Sequence, residues 1–430
     1  MIKDSIVFVG LDLGDRWSQL QVLDQEGEVV EESRLPTSES ALRRKFTTTG
    51  RWRVAMEVGT HSPWVSRLVK ELGHEIIVAD ARKLRLIYRN PRKNDRIDAE
   101  YLARLARLDP QLLSPVHHRS PETQADLALI RSRDALVRAR TMLINHMRGM
   151  AKSFGKRLPA CSADSFHHKV REAMPQPLQP ALEPLLDTLG EMTERIRAYD
   201  RQIEDLRQSR YPETKGLRQV GGVGALTSLA YILSLEDPAR FRKSREVGPF
   251  LGMVPRQNQS GGADPQLRIT KTGDVYLRRL LVGSAQYILG PFGPDCDLRR
   301  WGLSLAERGG MNAKKRAVVG VARKLAVLLH RLWLTGEEYQ PVRQITTTAQ
   351  PALTVNQKKQ GRDLQHHRPG AAVAIARLHA PSGRLRPTTG PEAHSGNRQR
   401  DGSAHLSLDP GCTEPQGLTQ SANGSVASRS

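Results

Sequence analysis

Cysteine is scarce in this 430-residue chain: Cys161, Cys296 and Cys412 lie too far apart for a disulfide framework or a cysteine-built zinc site. That excludes a small disulfide-stapled secreted protein and fits a reducing compartment. Long apolar runs are lacking too. Nothing approaches the roughly 20 consecutive apolar residues of a membrane-spanning helix, so no membrane partner is expected. The opening MIKDSIVFVGLDLG has a short apolar stretch behind Lys3, but Asp12 interrupts it and no small-residue cleavage site follows. It reads as a strand of a cytoplasmic protein. Aromatics are 5% of the residues and none follows Tyr339. The stretch 341–430, rich in Pro, Gly, Ser, Thr, Gln and Arg, cannot bury enough apolar surface to offset ordering entropy, so a disordered tail is expected there. Acid is the last shortage. With 66 Lys and Arg against 45 Asp and Glu, the formal net charge is +21. Such a charge attracts polyanions and makes nucleic acid the natural partner, with the nucleoid as the place of work.

The 38% of hydrophobic residues is enough for two or three domains. Residues 6–14, 17–27 and 28–36 read as a three-strand meander, with a hairpin turn at Glu26-Gly27. A capped helix (38–48), a buried strand (51–59), a helix closed by Gly73 (61–73) and another strand (74–80) follow. This order implies a mixed sheet with helices on its faces, in a domain over 1–115. Long helical patterns at 123–155 and 181–209 predict an antiparallel helical or coiled-coil arm over 116–212, a candidate for dimerisation. The segment 213–340 reads as a mainly helical domain ending in an amphipathic helix at 314–334. Its start, VGGVGALTSLAYIL, resembles a helix-hairpin-helix element, whose glycine turn offers backbone N–H groups to a phosphate. A turn that simply starts a helix remains the alternative.

The stretch KNDRIDAE (93–100) sets Asp95 and Asp98 three apart at a helix start, where like charges share one face and repel. Salt bridges to the surrounding Arg and Lys are one explanation. A divalent metal is the other, and it needs further carboxylates. Asp12 in VGLDLG and Glu57 in VAMEVG each end an otherwise apolar strand ahead of a glycine, and a half-buried acid is costly unless paired or metal-bound. If the first and fourth strands are neighbours, these acids meet, and the helix carrying Asp95 and Asp98 completes the group. Oxygen-only ligands favour Mg²⁺ or Mn²⁺, and paired ions suit phosphodiester chemistry.

The order of these acids resembles the RuvC-like branch of the ribonuclease H fold. GLDLG, AMEVGT and KNDRIDAEYLARL, with residues 248–282 and 313–333, are similar to the DEDD transposases of bacterial insertion sequences, a family that includes pilin-gene invertases. The fold class implied is α/β plus all-α: a ribonuclease H-like domain, a helical arm and a helical C-terminal domain. The resemblance implies a transposase or site-specific recombinase acting on DNA, with Asp12, Glu57, Asp95 and Asp98 as catalytic metal ligands. It also implies that Ser260, in RQNQSGG, is the nucleophile of a transient phosphoserine, although a Ser-Gly-Gly read without the family is a turn. A homo-oligomer, dimer or tetramer, and a structured guide RNA are expected on the same ground. Candidate nucleic-acid contacts are Lys83, Arg85, Arg89, Arg92 and Lys93 near the acids and Lys271, Arg278 and Arg279 after the serine, with solvated charge as the other reading. The rivals are a RuvC-like nuclease using water alone, an actin-like sugar kinase and a metal-free nucleic-acid binder.

Overall fold

Alternation of apolar side chains builds three antiparallel strands, β1 (Val7–Asp12), β2 (Trp17–Leu23) and β3 (Val29–Pro36). Gly27, at φ +93°, takes the turn between β2 and β3. In the computed structural model, which describes residues 7–47, 50–84, 94–265, 267–310 and 312–342, β4 (Trp52–Glu57) lies parallel to β1 and β5 (Glu75–Ala79) parallel to β4. The sheet order is therefore β3-β2-β1-β4-β5. Helices α1 (Glu39–Phe46) and α2 (Ser62–Glu71) make the crossovers. The mixed sheet read from the sequence is thus present. Arg85, Arg89, Arg92 and Lys93 lie outside the described residues, as does the tail from 343. The described residues fall in one compact unit, Met1–Thr348, and none of their helices is long and apolar enough to cross a membrane.

The period of two in the strands gives the sheet two apolar faces. Val9, Leu11, Val54 and Met56 pack with Phe46, Val65 and Val69 on one side. Ala55, Ile77 and Ala79 pack on the other with Leu102, Leu105 and Ala106, which belong to α3 (Asp95–Leu108). Gly10 seats that helix. A Cβ on Gly10 would stand 1.8 Å from the Ala99 carbonyl oxygen and 2.7 Å from the Ala103 nitrogen, so only glycine lets the helix backbone rest on β1.

Helices α4 (Pro121–Ser153) and α5 (Gln179–Arg210) form the arm. They run antiparallel within one chain, since Tyr211 donates to Asp126 at one end while Ile144 and Met147 pack with Leu182, Leu186 and Leu189 at the other. Ion pairs hold the shaft between these points: Arg133 to Asp200 at 2.6 Å, and buried Arg140 to Asp164 at 2.6 Å and Thr193 at 3.2 Å. The remaining long helices, α6 (Ala225–Leu235), α7 (Val275–Leu289), α8 (Asp297–Glu307) and α9 (Ala313–Thr335), share one core. Buried Tyr231 donates to the Ala326 carbonyl at 2.6 Å inside it, and burial pushes its hydroxyl pKa well up.

Candidate active site and nucleic-acid interface

The acids gather at one end of the sheet. The β1–β4 register pairs Leu11 with Met56, which makes Asp12 and Glu57 the next residues on adjacent parallel strands. The orientation of α3 follows from its far end. There Arg104 donates to the Gly27 carbonyl at 3.1 Å and Arg107 to that of Glu26 at 2.7 Å, and this turn lies beyond Leu23, opposite the start of β1. The first turn of α3 therefore sits at the carboxyl end of β1, bringing Asp95 and Asp98 to the side of Asp12 and Glu57. Asn94 caps that turn, its side-chain oxygen accepting from the Ile97 amide at 2.9 Å. The positive end of the helix favours the two acids there and offsets their mutual repulsion.

Asp98 is buried, Asp12 and Glu57 are intermediate and Asp95 is exposed. Among the described residues no three His, Cys, Asp or Glu side chains stand close enough together to hold a metal ion. The carboxylates share an end of the sheet without closing on one point. Their oxygen-only donor set, from two strand ends and one helix turn, fits a hard divalent cation.

A polar chain braces the loop after Glu57. Ser62 accepts from the Gly59 amide and donates to the Gly59 carbonyl, both at 2.9 Å, and its hydroxyl meets His118 Nε2 at 2.9 Å. Burial, with Arg67 and Arg119 nearby, holds the His118 pKa below its ordinary value. A histidine whose folded pKa is depressed stabilises the fold fully above its unfolded pKa of about 6.5, and that contribution is lost as pH falls. The melting temperature should therefore drop between pH 7.5 and 5.5, and His118→Gln should flatten that drop in parallel melting curves. Sequence spacing gave no signal for His118, since its partner is 56 positions away.

Ser260 lies on a separate element. Residues 253–265 and 267–271 form the two sides of a ribbon, in which the Thr270 amide donates to the Val254 carbonyl at 2.9 Å and the Arg256 amide to that of Arg268 at 3.0 Å. At its tip Ser260 and Ala263 exchange backbone hydrogen bonds of 3.3 and 3.0 Å around Gly261 and Gly262. Both glycines have positive φ, +54° and +84°, the requirement of a two-residue type I′ hairpin turn. Neither would bring a Cβ within 4 Å of another group. The serine is thus exposed at an open tip.

The basic candidates divide. Lys83, in the turn after β5 at the acid end of the sheet, and Lys271, at the foot of the ribbon, are exposed. Arg278 is buried, and its guanidinium donates to the carbonyls of Leu251 at 2.8 Å and Thr272 at 2.7 Å. This corrects its reading as a phosphate clamp, because its donors brace the base of the ribbon. Burial lowers its pKa, and so does Arg82. Arg279 pairs with Asp134 of the arm. Its guanidinium and that of Arg131 lie over Tyr276 at 5.0 and 4.8 Å from the ring centroid, and burial together with Asp134 pushes the Tyr276 pKa to about 12. Arg279 is therefore also engaged within the protein.

The glycine turn before α6 has a packing explanation. A Cβ on Gly221 would meet Pro294 at 2.7 Å, and one on Gly222 would meet Tyr287 at 2.9 Å. The helix preceding this turn is only Thr214–Leu217. These glycines admit neighbouring protein atoms without any phosphate.

Known proteins bear on the same two regions. Residues 9–155 match a family described as transposase, the DEDD type of IS110, and residues 214–294 match the transposase IS116/IS110/IS902 family. A probable family 20 transposase of Pseudomonas aeruginosa is 31% identical over 346 residues, covering 77% of this chain and 98% of that protein. This chain belongs to the IS110 family of DEDD transposases. The transposase for insertion sequence element IS1111A of Coxiella burnetii is 32% identical over 59% of this chain and 70% of its own length. That for IS1328 of Yersinia enterocolitica is 29% identical over 66% and 84%. As an IS110-type transposase the protein is an enzyme that cuts and rejoins DNA. Its DEDD domain points to dependence on a divalent metal.

Proposed function

We propose that this transposase exchanges DNA strands at the ends of an insertion sequence through a transient phosphoserine on Ser260, assisted by Asp12, Glu57, Asp95 and Asp98. The observation that carries the reading is the adjacency of Asp12 and Glu57 at the carboxyl ends of β1 and β4, with the helix of Asp95 and Asp98 seated against β1 at Gly10. The acids would hold Mg²⁺ or Mn²⁺, which when bound supplies positive charge to a phosphate undergoing displacement. The Ser260 oxygen forms a bond to phosphorus as the bond to the leaving strand oxygen breaks. The serine gives up a proton and the leaving oxygen takes one up. Phosphodiester energy is conserved in the protein–DNA ester, so rejoining needs no nucleotide cofactor.

The net charge of +21 supports polyanion binding. Exposed Lys83 and Lys271 would contact phosphates, joined by Arg85, Arg89, Arg92 and Lys93. A structured guide RNA and a homo-oligomeric form, dimer or tetramer, working at the nucleoid complete the proposal. Both rest on the family likeness.

The acid group has its own test. Asp12→Asn, Glu57→Gln, Asp95→Asn and Asp98→Asn should each abolish strand cleavage and weaken Mg²⁺ or Mn²⁺ binding in titration calorimetry. Melting without metal should stay equal or rise, because one of several like charges has gone. Parental metal affinity and cleavage in a folded Asp12→Asn protein would refute the metal assignment. Cleavage that needs the acids but leaves free ends and ignores Ser260 would instead identify a hydrolytic nuclease.

A further inference from the structure

The turn after α4, at the far end of the arm, gathers cations. After α4 the chain turns through Gly155 at φ +70°, and Arg148, Lys152, Gly155, Lys156, Arg157 and Leu158 line a cavity of about 690 Å³. Every ionisable group in that lining is a cation. Arg148 has a structural duty: it donates to the carbonyls of Leu158 at 3.4 Å and Pro159 at 3.2 Å and covers Phe166 at 5.0 Å. Lys152, Lys156 and Arg157 are exposed. Elsewhere on the arm Arg133 pairs with Asp200 and Arg197 with Glu194, and near the start of α5 Arg171 pairs with Glu183 and Asp187. No ion pair seen among the described residues includes the three tip cations. Beside them Phe154 leaves 48% of its surface in solvent. Solvation alone accounts for scattered lysines, but here the cations wall one cavity, and the exposed aromatic Phe154 directly precedes Gly155 of its lining.

Cations that track a backbone, with an aromatic face for a base, are the chemistry of a single-strand or loop contact. We infer that the arm tip is a second nucleic-acid site, in which Lys152, Lys156 and Arg157 bind phosphates of one strand and Phe154 stacks on an unpaired base. The 33 residues of α4 set this tip about 50 Å along the helix from its start at Pro121. The α4 start lies near the sheet, where Arg67 donates to Gln124 at 3.1 Å. The transposase would thus grip a strand well away from its acids. The inference rests on the transposase reading only in taking nucleic acid as the ligand.

Binding by the full-length chain tests it, with labelled single-stranded DNA, an RNA hairpin with an unpaired loop, and blunt duplex DNA as probes. The variant Lys152→Ala/Lys156→Ala/Arg157→Ala should bind the single strand, the RNA loop or both about tenfold more weakly at moderate salt. For a single strand its slope of log K against log salt should be shallower by about 2. Phe154→Ala should weaken the same probes and spare the duplex. Which probe suffers tells whether the strand is DNA or RNA. Arg44→Ala/Arg51→Ala/Lys70→Ala removes as much charge from exposed positions elsewhere. An equal loss from that control, a loss confined to the duplex, or unchanged binding of all probes would overturn the proposal. Because the readout is binding, a failure of the Ser260 chemistry would leave this result interpretable.

Discussion

Ser260→Ala is expected to lose strand cleavage and rejoining together, by about a thousandfold or more, as enzymes do on losing a nucleophile. Nucleic-acid affinity should stay close to parental, because a hydroxyl adds little to the electrostatic term that dominates binding. The substitution is structurally mild. Ser260 holds the ribbon tip through its backbone, while the turn geometry comes from Gly261 and Gly262. A stability change within about 0.5 kcal/mol is expected for such an exposed site. Gel assays of cleavage and joining beside a binding titration separate the two effects. Normal cleavage by Ser260→Ala would remove the serine from the chemistry.

Gly10→Val should damage fold and site together. The added Cβ would meet backbone atoms of Ala99 and Ala103 at 1.8 and 2.7 Å, and backbone cannot rotate aside as a flexible side chain can. Either α3 lifts from the sheet or β1 bends, at a cost of about 3 kcal/mol, the upper part of the range for overpacking. A lifted helix carries Asp95 and Asp98 away from Asp12 and Glu57, so metal affinity should fall by more than the stability loss explains. Urea unfolding and metal titration measure both quantities. Gly59→Ala is the control: Gly59 is exposed and a Cβ there meets nothing within 4 Å. A parental urea midpoint for Gly10→Val would contradict the close seating of α3.

Local signals made the sheet legible in the sequence. Apolar runs and alternation marked the strands, Gly27 the hairpin turn and Gly73 a helix end, and KNDRIDAE read as a helix start. That the first and fourth strands are neighbours was a condition of placing Asp12 beside Glu57, and the β1–β4 register meets it. What the sequence hid depends on contacts between distant residues. Arg278 reads as a surface cation within LRRLL, yet it is buried and its Nη1 donates to the Leu251 and Thr272 carbonyls that flank the ribbon. The arm reads as an apolar stripe, but Arg140 is buried in it beside Asp164 of the segment between the two helices and Thr193 of α5, and Asp126 beside Arg210 and Tyr211. The glycines of VGGVG look like a ligand turn, yet Pro294 and Tyr287 fill the space at Gly221 and Gly222, and only Gly224 faces open space.

Peptide mass mapping of the wild-type protein, trapped on a DNA substrate after the first cut, locates the bond between protein and DNA. A nucleotide should be covalently attached within residues 254–268, on Ser260, formed only when divalent metal is present and absent from Asp12→Asn. An adduct on another residue, or cut DNA with free ends and an unmodified peptide, would contradict the phosphoserine.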